Sequence, residues 1–281
     1  MPRFSQTCLK LNQPAIYFVA IVLLSGFASG VTAAAGDERS EALQAVPFDR
    51  LTPAASARIR NIAERPTMYR RLPSQTIDCD PKMFLFLVRH PEVIVGIWER
   101  MEVSKVQTQR VGPYQLLADD SAGTQCKIDL VYGDSKTHVF VANGLYTGGL
   151  APRKITGSGV FILRSEYADN AAGQAIVRGT LDCFIQLDNF GADLLARTLS
   201  GLIGKTADHN FVETAKFLAQ ISQGAERNPS GMRDLTLDLN QVEVPTKQEF
   251  VQTIVEVAQR AMAATAANRA AGDPASNPAN R

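Results

Sequence analysis

The sequence predicts an α+β fold: an antiparallel sheet with two short helices gripping a long C-terminal helix. Three observations carry that expectation. Strand-like segments succeed one another from about Gln115 to Asp188, an amphipathic stretch follows from Phe190 to Gln223, and two short apolar helical segments precede the strands between Asp80 and Met101.

The chain opens with Arg3 and Lys10, an apolar run from Ala15 to Leu24, and small residues ending Val31-Thr32-Ala33-Ala34-Ala35. A basic start, a short apolar core and an Ala-x-Ala exit are the parts of a secretory signal, so residues 1–35 predict export with cleavage between Val31 and Gly36. If the segment is retained, Pro14 to Ala35 is just long enough for a bilayer, which takes roughly 20 apolar residues, and it would be the chain's one membrane contact. Cys8 precedes the apolar run and is therefore no lipoprotein attachment site. The expected compartment is periplasmic or extracellular.

Removing residues 1–35 from the 281 leaves 246, an ordinary single domain with extensions, with 27 basic against 28 acidic side chains. This near-neutral balance, with no basic run interleaved with aromatics, argues against nucleic acid or an anionic membrane surface as main partner.

Residues 36–74 read as a leader containing a short helix near Ala55 to Glu64, marked as an entry segment by Pro66, Pro73 and the Arg70-Arg71 pair. The main domain spans 75–224. Asp80-Pro81 fits a helix start, an acidic cap followed by proline in the first turn, where its missing N–H costs little. His90-Pro91 interrupts that helix and starts a second through Trp98 to Met101. Phe84, Phe86, Val93, Ile94, Ile97 and Trp98 make both helices apolar enough to need burial, as ordinary core or as the wall of a cavity.

In the strands, Cys126, Ile128, Leu130 and Tyr132 alternate with Lys127, Asp129 and Val131, the pattern of a half-buried antiparallel strand. Gly133 to Lys136 makes a turn into Thr137 to Ala142, and further strands fit Gly159 to Tyr167 and Ala175 to Asp188. In the last, Ala175, Val177, Leu181, Cys183, Ile185 and Leu187 share one face, with Arg178, Thr180, Asp182 and Gln186 on the other. The Arg178 and Asp182 pair is expected on an outer, solvated face, where an ion pair contributes little.

Phe190, Leu194, Leu195, Leu199, Leu202 and Ile203 then form one helical stripe that Phe211, Ala215, Leu218 and Ile221 continue, and the stripe is expected to lie on the sheet. Gly201 and Gly204 each cost about 1 kcal/mol in a helix interior. They predict either close backbone approach or a break near Gly204 to His209. Residues 225–262 read as an extension with a strand at Leu235 to Val244 and a helix containing Phe250, Ile254 and Val257. Residues 263–281 read as a frayed, disordered tail.

Three cysteines remain in the exported chain, Cys79, Cys126 and Cys183. An odd number leaves one thiol unpaired, and Cys126 and Cys183 fit either small buried apolar residues or a bridge. The three histidines, His90, His138 and His209, have no partner at metal-ligand spacing, so no metal or other cofactor is expected. Gly157-Ser158-Gly159 lacks the spacing of a nucleophile elbow, Gly144 to Gly149 lacks a phosphate-loop lysine, and Asp119-Asp120 before Ser121-Ala122-Gly123 read as a solvated turn. No catalytic residue is assigned.

From Pro91 to Trp98, through the strand series, to the Phe190 to Gln223 helix, the element order resembles the helix-grip fold of the START-like superfamily, covering roughly Asp80 to Gln223. The resemblance is one of order alone, and it lacks an evident first strand, because Leu72 to Ile77 is short and contains Pro73. It implies an apolar cavity between helix and sheet that Leu181, Cys183, Ile185, Leu195, Leu199 and Leu202 would line or fill, and hence a hydrophobic small molecule or lipid as partner. Two other readings stay open at this level: an interaction protein of the cell envelope with a solid core, and a START-like cyclase or hydrolase.

Overall fold

The computed structural model describes residues 33–148, 154–171, 173–188 and 202–272. In chain order these form α1 (Ala33–Gln44), a 3-10 turn (Phe48–Arg50), α2 (Pro53–Glu64), β1 (Met68–Arg71), β2 (Gln75–Ile77), α3 (Pro81–Arg89) and α4 (Pro91–Arg100). Then come β3 (Gln107–Gly112), β4 (Gln115–Asp119), β5 (Thr124–Gly133), β6 (Thr137–Tyr146), β7 (Ile155–Asp169) and β8 (Ala175–Leu187). The chain closes with α5 (Leu202–Arg227), α6 (Pro229–Leu237) and α7 (Val244–Gly272). The fold is α+β as expected, an eight-stranded antiparallel sheet with two short helices, α3 and α4, and a long helix, α5, packed on it. Among the described residues, no helix is long and apolar enough to cross a membrane. The proposed export segment lies outside them up to Thr32.

The sheet runs β1-β8-β7-β6-β5-β4-β3, with β2 also paired to β8. Strands β3 to β8 are therefore a meander, and the strand missing from the sequence reading is present in two pieces. Met68 to Arg71 pairs with Asp182 to Ile185, and Gln75 to Ile77 pairs with Val177 to Gly179. Proline has no N–H to donate to a ladder, so Pro73 splits the strand without ending it. Leu72 still donates to the Leu181 carbonyl at 2.9 Å.

Turn and cap chemistry place the elements where local sequence asks. Asp80 caps α3 by accepting from the Lys82 and Met83 N–H groups at 2.8 and 3.2 Å. Asp134 Oδ1 accepts from Lys136 and Thr137 N–H, both at 2.7 Å, and turns β5 into β6. Gly123 has φ +112°, and a Cβ there would stand 2.4 Å from the Gly148 nitrogen, so both backbone shape and space require glycine.

Five expectations are corrected. The Leu235 to Val244 strand is instead the end of α6 and a turn; Asn228 accepts from Gly231 N–H and Pro229 sits in the first turn, the same start signal as Asp80-Pro81. Of the two alternatives drawn from Gly201 and Gly204, the break does not occur: α5 is continuous through Gly204 to His209. Tyr132 leaves the face of Cys126 and Ile128, because a register shift between Leu130 and Tyr132 moves it to the opposite side, beside Val139. Asp120 is 2 % exposed and accepts from Ala122 and Thr124 N–H at 2.7 and 2.8 Å, so it organises a turn from inside. Asp182 is fully buried, and its partners are Arg71, Arg164 and Tyr69 rather than Arg178.

The last correction follows from where the leader goes. Helices α1 and α2 lie on the outer face of the sheet, with Ala42, Val46, Ile59 and Ile62 packed against Val139, Val141, Val160, Ile162 and Phe184. Each large side chain buried there contributes roughly 1.5–3 kcal/mol. Glu41 bridges Arg71 and Arg164 above Asp182, at 2.8 and 2.5 Å. Hydrogen bonds from Arg71 and Arg164 hold the Glu41 carboxyl down at about 2. Burial and the Asp182 carboxylate push the Tyr69 hydroxyl above its ordinary value.

On the other face, α7 forms a further layer over α3, α5 and α6. Phe250 stacks on Phe86 with ring centroids 5.2 Å apart, and Arg260 donates to both oxygens of Asp80 at 2.7 and 2.8 Å. The helix reaches Gly272, into the segment expected as tail.

Candidate ligand-binding site

Alternation along the strands sends one set of side chains to the face away from the leader. On β6 these are Phe140 and Ala142, on β7 Phe161 and Leu163, and on β8 Gly179 and Leu181. Helix α5 crosses this face, presenting Phe211, Thr214, Ala215 and Leu218 at helical spacing. Helices α3 and α4 close a third side with Phe84, Leu87, Ile94 and Trp98. The three walls do not meet. They bound a partly open cavity of about 180 Å³, lined on the meander side by Thr108, Leu116, Cys126 and Ile128.

The wall is almost wholly apolar. Among the described lining residues only Thr108 and Thr214 carry hydroxyls, and none is Asp, Glu, Lys, Arg or His. The Thr108 hydroxyl is already engaged with Gln241 Oε1 at 3.2 Å, while the Gln241 amide donates to Glu99 Oε2 at 2.6 Å and to the Val106 carbonyl at 3.2 Å. Burial, aided by the Asp120 charge, pushes the Cys126 thiol up to about 12, so the cavity faces a neutral sulfur at physiological pH. Such a wall offers shape and apolar contact, and the described part of it presents no carboxylate, imidazole or amine as general acid or base.

Of the residues singled out in the sequence, Leu181 lines the cavity. Cys183 and Ile185 are buried beyond it, packed with Leu72, Ala207 and Phe211, and are not among its lining residues. Leu195 and Leu199 lie outside the described residues. Leu202 opens α5, and its side chain is likewise outside them. Phe140, Phe161 and Leu163 line the cavity without being among the expected lining residues, although each stands in phase with inward residues of the next strand. In Val139-Phe140-Val141-Ala142 and Val160-Phe161-Ile162-Leu163 both phases are apolar, the mark of strands covered on both faces.

Polar groups near the two short helices serve packing. Arg110 clasps buried Glu92 and also donates to the Arg89 carbonyl at 3.0 Å, tying β3 to the junction of α3 and α4. His138 is fully buried; its Nε2 accepts from Arg89 Nε at 3.2 Å, and its Nδ1 has no hydrogen-bond partner. Burial, reinforced by the Arg89 charge, brings its pKa down to about 4, so the ring is neutral. Cys79, Cys126 and Cys183 are all buried and unbridged. Among the described residues, no three His, Cys, Asp or Glu side chains converge as a metal ion would require.

No protein-family model matches the chain, and no curated protein matches it. Solved structures do. The chain is similar to the Mll3558 protein from Rhizobium loti, 10% identical over 54% of this chain and 96% of that one, with a TM-score of 0.29. It is also similar to Ara h 8.0201, 14% identical over 50% of this chain and 97% of that one, with a TM-score of 0.30.

Proposed function

We propose that the protein is an exported, non-enzymatic binding protein of START-like type that carries a hydrophobic small molecule or lipid between its sheet and its long helix. The observation that carries this reading is the apolar cavity of about 180 Å³ walled by α3, α4, α5 and the inner face of the sheet. A core that served stability alone would close such a space, because an internal void forfeits dispersion contacts on every wall. The described lining carries no carboxylate, amine, guanidinium or imidazole, and its one thiol, Cys126, is held neutral by burial, which favours binding over catalysis.

Native mass spectrometry of the protein purified from its own host tests the binding reading: a non-covalent adduct released by organic solvent supports it, and an unliganded mass that no apolar probe shifts overturns it. Export is tested separately by N-terminal sequencing of the mature species. A start between Val31 and Gly36 supports it, whereas a cytoplasmic protein beginning at Met1 removes it.

A further inference from the structure

We infer that the cavity takes a small uncharged ring compound, a single ring with a short substituent or a fused second ring, and not an acyl lipid or a carboxylate. This rests on the binding reading above and narrows it.

Size is the first ground. An engineered cavity of about 150 Å³ lined by leucine, isoleucine and phenylalanine stays dry and binds benzene. Pockets for larger ligands enclose roughly 300–1,000 Å³. At about 180 Å³ this cavity stands next to the former, and an extended acyl chain with its headgroup exceeds it.

Wall chemistry is the second. A carboxylate or ammonium taken from water needs a counter-charge or several hydrogen bonds, and the described lining offers no ionisable side chain except the neutral Cys126 thiol. Of the two lining hydroxyls Thr108 already donates to Gln241, which leaves Thr214, a single neutral group that cannot replace the hydration of a charge. A neutral molecule loses little on entry and a charged one loses its hydration without replacement.

Shape is the third. Phe84, Trp98, Phe140, Phe161 and Phe211 line the space from α3, α4, β6, β7 and α5, so aromatic side chains border it on several sides. Aromatic pairs favour offset-stacked and edge-to-face arrangements, which a ring ligand can make with several walls at once and a flexible chain cannot.

The experiment uses the purified full chain and reads the unfolding midpoint by calorimetry against benzene, indole, benzoate, palmitate and lysophosphatidylcholine. A ligand that binds only the folded state raises that midpoint with saturable dose dependence. Benzene and indole are expected to do so and the other three are not. Gly179→Ala and Ala142→Leu each fill the space and are expected to weaken the apparent benzene affinity at least tenfold. Gly179→Ala keeps the fold, since its new methyl would meet Leu163 Cδ1 at 3.8 Å and Ile77 Cδ1 at 4.0 Å, ordinary contacts. A shift by palmitate or lysophosphatidylcholine without one by benzene or indole overturns this inference and leaves the binding reading standing. Benzoate acting as strongly as benzene, or ring binding indifferent to both substitutions, also overturns it. No shift by any probe overturns both.

Discussion

Arg110 closes a two-pronged pair on Glu92: its Nε and Nη2 each stand 2.7 Å from a carboxylate oxygen, and Glu92 is 1 % exposed. Burial by itself raises the Glu92 pKa, but hydrogen bonds from His90 and Arg110, with the Arg110 charge, outweigh it and hold the carboxyl below its usual range. Removing one partner strands a buried charge. Arg110→Ala is expected to cost roughly 3–5 kcal/mol in urea unfolding, and Glu92→Leu with Arg110→Met to recover most of that loss. The depressed folded pKa means that the pair stabilises above the ordinary carboxylate value and is lost as pH falls through the folded one, so the difference between parent and double variant should shrink only under acid conditions.

The Asp182 cluster makes a second test, of the leader. Asp182→Ala leaves Arg71 and Arg164 side by side with only Glu41 to share, and the expected cost is again roughly 3–5 kcal/mol. Because Arg71 also donates to the Glu38 carbonyl at 3.1 Å, the loosening should appear in α1. Limited proteolysis is expected to cut the variant between residues 36 and 64 sooner than the parent, and equal cutting would separate the cluster from the docking of the leader.

His138 predicts a pH dependence of opposite origin. Its folded pKa lies near 4 against an ordinary 6.5, so the unfolded chain takes up the proton first and folding stability falls as pH drops from about 6.5 towards 4. The full effect is roughly 3 kcal/mol by linkage. Chemical denaturation at a series of pH values should show a shallower decline over that interval in His138→Gln than in the parent.

The C-terminal layer is expected to be integral. Phe250 is fully buried against Phe86, and Phe250→Ala should cost roughly 3–5 kcal/mol. Truncation beyond residue 271 should leave the midpoint unchanged, because among the described side chains of α7 the last buried one is Ala258. Loss of several degrees from that truncation would mean that the end of the chain docks.

How much of this was legible depends on whether a feature is local. Caps such as Asp80-Pro81, the Asp134 turn and the phase of Leu181, Cys183 and Ile185 are set by neighbours in sequence, and they read correctly. The inner side of the sheet was therefore visible, but its outer side was not. Asp182, Arg71 and Arg164 look like a solvated polar pattern until tertiary structure brings them together, although Phe184 between Asp182 and Gln186 was a signal that this face is covered. Leu235, Leu237 and Leu239 alternate as in a strand, although Asn228-Pro229 carries a helix-start signal, and alternation over so short a run does not separate strand from helix. The bulge at Val131 has no local mark. Cavity and core use the same residues, so only the gap between α5 and the sheet distinguishes them.

The split first strand has a consequence for the order in which the chain can fold. Strands β1 and β2 pair with β8, and the Asp80 carboxylate that caps α3 waits for Arg260, 180 positions later. A ribosome adds roughly 5–20 residues each second, so the earliest apolar residues of the domain stand without their partners for on the order of 10 s while the rest is made. Only the release of α7 lets both ends of the domain meet. Completion of this fold therefore waits for α7, and Leu72, Ile77 and Phe84 are the side chains that a chaperone would have to shield in the interval.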